Sequence, residues 1–164
     1  MAYFGDRVIE RMRTLGRPLC VGLDPYLDRI PTPFLRGTMA PQHPDAAQAV
    51  TEFCCRTIDL IAPEVAIIKP QAALFERLGW RGWHVLERVI QYARVAGLLV
   101  LLGAKRGDIA DTATGYAQAY LAADAPCGVD AMTVNPYLGP ASLLPFMAEA
   151  ESAGNQFDVG TKQK

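Results

Sequence analysis

The chain has 164 residues, is 51% apolar, and sets 16 basic side chains against 17 acidic ones for a formal net charge of −1. That balance fits one folded globular domain and excludes a disordered, charge-rich segment. It leaves no basic face for nucleic acid, and no stretch approaches the ~18 apolar residues of a membrane span, so neither nucleic acid nor membrane is expected as a partner.

The opening segment, "MAYFGDRVIERMRTLG", is charged throughout, unlike a secretory signal, and the protein is expected in the cytoplasm. Within it Val8, Ile9, Met12 and Leu15 recur at helical spacing and Gly16 provides a stop, which predicts a helix over about residues 3–15. "PLCVGLD" then reads as a short strand ending at Asp24. Pro25, Pro31, Pro33, Pro41 and Pro44 make residues 25–44 a loop, and loops this long are often functional. Asp45 is suited to capping a helix that runs to Ile61, with Ala49, Val50, Phe53, Ile58 and Ile61 on its apolar face.

"EVAIIKPQ" predicts a second buried strand ending at Lys69, followed by a helical region in which Val85, Leu86, Val89, Ile90 and Ala93 keep the period up to Gly97. "GLLVLLGAK" is a third strand, apolar on consecutive positions as expected when both faces are covered. "TATGYAQAYLAA" supplies its helix, "DAMTVNP" a fourth strand and "ASLLPFMAEAE" a further helix. The tail "GNQFDVGTKQK", residues 154–164, shows no apolar strand of its own and is expected to be irregular, although a fifth strand is due there.

Strand and helix therefore alternate about four times, which predicts an α/β fold with a parallel sheet. Each strand ends in a polar residue: Asp24, Lys69, Lys105 or Asn135. In a (β/α)8 TIM barrel the carboxyl ends of all strands face the active-site mouth, so these side chains would converge there. A complete barrel takes ~200 residues or more. Residues 1–164 thus read as a single domain holding only about the first four β/α units. Truncation, a shifted reading frame, or a half-barrel that pairs with another copy all fit that count, and an unpaired sheet edge would invite association.

Lys105 follows a six-residue apolar run, and Asp108 lies where strand turns to helix. The plain structural reading makes Asp108 or Asp111 a helix cap and Lys105 a surface lysine. Lys69 ends a second strand in the same way, and two neighbouring ammonium groups remain protonated most readily with carboxylates between them. Such an alternating array can hold a proton beside a carbon that becomes a carbanion. Cys20, Cys54, Cys55 and Cys127 lack paired metal-ligand spacing and are expected to be reduced core residues, with no metal site. His43 and His84 are expected as surface or packing residues, Trp80 and Trp83 as core or interface residues, and Asp130 as a cap or orienting group.

Four blocks in this order, "VGLDP", "IIKPQAALFERLG", "AKRGDIADTA" and "VNPYLG", resemble orotidine 5'-phosphate decarboxylase, in its bacterial branch with the Lys-Arg-Gly-Asp motif. The resemblance covers about residues 1–150 and implies a (β/α)8 barrel that forms UMP and CO2 in pyrimidine synthesis without metal or organic cofactor. It implies a homodimer with a shared active site. By motif, Lys105 would donate the proton, Lys69 and Asp24 would hold the ribose hydroxyls, and Asp108 would reach the neighbouring subunit's site beside Ile109 and Thr112. The family's motif opens with an aspartate two residues before the lysine, where this chain has Gly103. That loss would leave the site more positive, favouring a bound carboxylate over turnover. The phosphate-gripping loops of such barrels follow the seventh and eighth strands, beyond the units found here. Two other readings stay open: a related Mg2+-dependent sugar-phosphate aldolase or decarboxylase, and a non-catalytic fragment that associates with a full-length copy.

Overall fold

The computed structural model describes residues 3–159. Its sheet has five parallel strands in consecutive order: β1 (Cys20–Leu23), β2 (Ile67–Pro70), β3 (Leu99–Arg106), β4 (Ala131–Val134) and β5 (Gln156–Val159). Helix α1 (Phe4–Leu15) precedes the sheet, and α2 (Pro44–Ile61) connects β1 to β2. Helices α3 (Ala72–Glu76) and α4 (Trp80–Val95) connect β2 to β3, α5 (Ala110–Tyr120) connects β3 to β4, and α6 (Leu144–Ala153) connects β4 to β5. Sequence neighbours are thus sheet neighbours throughout, the winding of a (β/α) barrel.

The fifth strand corrects the expectation of an irregular tail. Gln156 to Val159 pair with Ala131 to Val134 along the whole of β4. "QFDV" alternates polar and apolar residues instead of running apolar, so the ladder rather than composition defines it. Residues 160–164 of the expected tail lie outside the described residues.

Period-two alternation divides the sheet's two faces. Ile68, Val100, Leu102, Met132 and Val134 point outward and pack in one core with Cys54 and Ile58 of α2, Phe75 of α3, Leu86 and Ile90 of α4, and Phe146 of α6. The residues between them, including Gly22, Lys69, Gln71, Gly103 and Lys105, take the opposite, inner face. Helical spacing anticipated α4 well: Val85, Leu86, Val89, Ile90 and Ala93 are all buried. Upstream the predicted helical region breaks, because Gly79 adopts φ 66° between α3 and α4.

Helix ends differ from expectation in two places. His43, not Asp45, caps α2, its Nδ1 accepting from the Asp45 N–H at 3.3 Å, while Pro44 takes the first helical position. Ile109 occupies the N-cap position of α5, and Asp108 instead accepts from the Ile109 N–H at 2.8 Å. Asp130 orients as expected: it is buried, receives Arg7 Nη2 at 2.5 Å and the Val100 N–H at 2.8 Å, and so fastens α1 to the start of β3. The four cysteines are free, but only Cys54 is buried; Cys20 is exposed because it stands on the inner face, and Cys55 and Cys127 are intermediate. Of the two places expected for Trp80 and Trp83, core or interface, the core is excluded: both are exposed, since α4 turns its aliphatic stripe to the sheet. Among the described residues no helix is long and apolar enough to cross a membrane.

Tyr120 at the end of α5 is buried, and burial pushes its phenol up to about 12, the Arg106 guanidinium opposing weakly. Unfolded tyrosine titrates near 10.0, so below that pH both states are neutral and the stabilisation is fully present. As pH rises from there toward 12 the unfolded chain ionises first and stability falls. Tyr120→Phe is expected to remove this contribution, so that the urea midpoint falls less steeply between about pH 10 and about pH 11.5 than in the parent chain, the part that remains coming from groups such as Cys54, whose thiol burial also pushes up.

Candidate active site

The carboxyl ends of β1, β2 and β3 enclose a cleft of about 360 Å³ lined by Gly22, Asp24, Tyr26, Lys69, Gln71 and Lys105. Parallel register explains the gathering. Gly22 stands opposite Lys69, and Gln71 forms a bridge to Gly103, so equivalent rungs of three strands present their inner-face side chains at one level. Asp24, Lys69 and Lys105 therefore line one cleft, three of the four strand-end residues expected to converge. With two ammonium groups and one carboxylate, the lining carries one excess positive charge.

Lys105 reaches the cleft through an irregular backbone. Between Leu102 and Arg106 the β3–β4 register shifts, and Lys105 adopts φ 48°, the one positive φ outside glycine among the described residues. The left-handed region costs a residue with a Cβ about 1–2 kcal/mol and persists where surroundings over-determine it. Here Thr133, buried on β4, supplies that constraint: its Oγ1 accepts from the Lys105 N–H at 2.9 Å and donates to the Leu102 carbonyl at 3.4 Å.

Arg106 points the other way. Its Nη2 pairs with Glu76 of α3, its Nη1 donates to the Ala104 carbonyl at 3.2 Å, and its guanidinium lies 5.5 Å from the centre of the Tyr116 ring. Burial pulls its pKa down, and the hydrogen bond and charge of Glu76 outweigh that, leaving it above its ordinary value. Adjacent basic residues thus divide the work: Lys105 serves the cleft and Arg106 braces the scaffold. Gly107 follows because the Asn135 carbonyl leaves no room for a side chain, lying 2.6 Å from where a Cβ would stand.

Other predicted site residues lie outside this cleft. Asp108 is half-buried in the turn, Ile109 is 67% exposed, and Thr112 lines a separate apolar groove with Trp83, Tyr116 and Cys127. Asn135 does not join the convergence either; its Oδ1 accepts from the Tyr137 N–H at 3.1 Å. His43 and His84 stand apart from the cleft, His84 at an outer groove between α2 and α4.

Three contributors were not anticipated: Tyr26, Thr133 and Gln71. For Gln71 the signal was present, since two residues beyond Lys69 places it on the same strand face. Its side chain sits over Gly103, with Oε1 only 2.2 Å from where a Cβ at position 103 would be. Cys20, one rung below Gly22, has its thiol pKa raised by burial, against a downward pull from Lys69.

A family model described as orotidine 5'-phosphate decarboxylase / HUMPS family matches residues 17–160. The orotidine 5'-phosphate decarboxylase of Rhodopirellula baltica is 45% identical over 152 residues, covering 90% of this chain and 50% of that protein. Its counterpart in Nocardioides sp. is 43% identical, covering 94% and 53%. The solved OMP decarboxylase of Leishmania donovani superposes with a TM-score of 0.73 at 37% identity, covering 99% of this chain and 55% of that one. The chain spans about half the length of the curated relatives it matches. With five consecutive strands of a (β/α)8 barrel and this match over most of its length, the chain belongs to the orotidine 5'-phosphate decarboxylase / HUMPS family.

Proposed function

We propose that this chain serves the decarboxylation of orotidine 5'-phosphate to UMP and CO2 in pyrimidine nucleotide synthesis, a carbon–carbon lyase reaction. The observation that carries the reading is the gathering of Asp24, Lys69 and Lys105 in one cleft at the strand ends. In the reaction the bond between C6 and the carboxylate breaks, CO2 departs, and the electron pair stays on C6. A proton from the Lys105 ammonium then forms the new C6–H bond, and solvent restores the lysine. A fixed ammonium beside the developing carbanion lowers the barrier because it needs no reorganisation as charge appears. Asp24 and Lys69 hold the ribose hydroxyls, and the chemistry calls on no metal or organic cofactor.

The functional unit in this reading is a homodimer. Asp108, with Ile109 and Thr112 beside it, lies outside its own chain's cleft and faces the site of a second copy. The exposure of Ile109 supports that placement. Phosphate recognition belongs to loops after later strands.

The test is release of labelled CO2 from orotidine 5'-phosphate, with UMP quantified in parallel and a chelator in one arm. Equal amounts of both products, unchanged by chelator, are expected. Activity lost on chelation would instead favour the metal-dependent sugar-phosphate reaction, whereas no turnover with stable co-purification of a full-length copy would favour a non-catalytic associating role.

A further inference from the structure

Lys105 reaches the cleft from a bulged strand. Leu101 and Leu102 pair with Ala131 and Met132, but the next pair is Arg106 with Val134, so four residue steps on β3 span two on β4. The ladder resumes at once, the Asn135 N–H donating to the Arg106 carbonyl at 2.7 Å. Two extra residues are therefore folded into β3 between Leu102 and Arg106. Regular pairing would set Ala104 opposite Val134 and carry Lys105 two rungs further along the strand, about 6–7 Å at the ordinary rise. Lys69 would not follow, because β2 meets β3 below the bulge, at Ile67–Leu99, Ile68–Val100 and the Gln71–Gly103 bridge. The bulge thus sets how far apart the two ammonium-bearing positions stand.

We propose that Thr133 is a positioning residue, the clamp that holds this two-residue bulge closed and thereby sets the height of the Lys105 ammonium in the cleft. The use made of that ammonium rests on the decarboxylase reading; the backbone part of the inference does not. Thr133 is 4% exposed and lies between the outward-facing Met132 and Val134, on the face the bulge overhangs. Its one hydroxyl bonds both ends of the irregular segment, accepting from the Lys105 N–H at 2.9 Å and donating to the Leu102 carbonyl at 3.4 Å. A bulge strips extra residues of their ladder partners, and a buried N–H left without an acceptor is costly. Nothing intrinsic to lysine favours the φ of 48° that the bulge demands. Without the hydroxyl, both backbone groups regain partners only if β3 relaxes toward the regular ladder, and that movement draws Lys105 away from Lys69.

Thr133→Val, which keeps the shape and deletes the hydroxyl, tests this beside Thr133→Ser, which keeps the hydroxyl. Each chain is read by NMR, from the Lys105 13Cα shift and amide exchange rate, and by steady-state CO2 release from orotidine 5'-phosphate. In Thr133→Val the shift is expected to leave the left-handed range for the extended one, with amide exchange at least about tenfold faster. There kcat should fall about tenfold or more while KM stays within about threefold, the pattern of a displaced reacting group rather than a lost ligand contact. Thr133→Ser is expected to hold the parent's backbone signature and to keep kcat within about threefold of it. Should Thr133→Val not fold, Thr133→Ala, which deletes the acceptor without adding apolar bulk against the bulge, is read the same way. A folded Val or Ala variant in which Lys105 stays left-handed, a relaxed backbone with kcat unmoved, or a serine variant that behaves like valine would overturn the proposal. A parent chain that releases no CO2, while its variants show the backbone response, would support the clamp and remove the decarboxylase reading.

Discussion

Gly103→Asp is expected to raise kcat for CO2 release by about 10²-fold or more while raising KM for orotidine 5'-phosphate. An aspartate there stands two residues from Lys105 on the same strand face, within the cleft's positive wall. It would act twice. Its charge would hold the Lys105 ammonium in place, and it would oppose the substrate's carboxylate in the ground state. That repulsion disappears as neutral CO2 leaves, so the barrier falls while ground-state affinity is sacrificed, the pattern that raises kcat in preference to kcat/KM. The structural cost is small because a Cβ at 103 meets the flexible end of Gln71 at 2.2 Å but the Pro70 backbone only at 3.4 Å. Gln71 rotates away, and stability should fall by no more than about 1–2 kcal/mol. Labelled CO2 release by parent and variant, with thermal melts of both, decides the matter. A folded Gly103→Asp chain with unchanged kcat would mean that the wall opposite Lys105 does not limit the reaction.

This experiment also separates the two consequences of the cleft's excess charge. On the decarboxylase reading, tighter retention of a carboxylated ligand and slow turnover would share one electrostatic origin in the parent chain, so restoring a carboxylate should move them in opposite directions. A glycine that merely eased packing would move neither.

Much of this architecture was legible in the residues because parallel strands buried on both faces announce themselves as apolar runs. "AIIKP" and "LLVLLGAK" marked β2 and β3, and the polar residue closing each run placed Lys69 and Lys105 at the carboxyl ends of the strands. A fifth strand was due in the tail, but β5 could not be picked out there because "QFDV" is half polar and its identity lies in hydrogen bonds to β4, a nonlocal property. The cap of α2 was misplaced for a related reason, since several polar residues precede the helix and packing chooses among them, and α5 follows neither alternative for Asp108 or Asp111 as a cap, because Ile109 stands at its N-cap position. The left-handed Lys105 could not be read at all, since lysine gives no hint of positive φ. It is imposed by the register shift and by Thr133 on the next strand. Cys20 was assigned to the core from its apolar neighbours, whereas the strand period sets it on the inner face, and the two tryptophans, expected in the core or at an interface, lie on the outer surface.

Lys105→Met is expected to lower kcat by about 10²–10⁴-fold, the range that positioned proton donors contribute. Methionine keeps the length and the apolar stem, so the cleft's shape and the bulged backbone should survive; the Lys105 N–H bond to Thr133 is a main-chain bond and is retained. The loss should appear on the Gly103→Asp background as well, and most clearly there. Substrate affinity should weaken too, because one of two ammonium groups facing the ligand's carboxylate is gone, but Lys69 remains and the change in KM should be far smaller than that in kcat. Lys69→Met provides the contrast: with its partner charge on the ribose side lost, KM should rise more than kcat falls. The proton itself gives a further readout. In D2O the UMP formed by the parent chain should carry deuterium at C6, delivered from an exchanged ammonium, and a proton-inventory dependence on the lysine should vanish in Lys105→Met as water becomes the donor. A Lys105→Met chain that retained kcat within about threefold would place the proton donor elsewhere in the cleft and reduce Lys105 to a charge that holds the substrate.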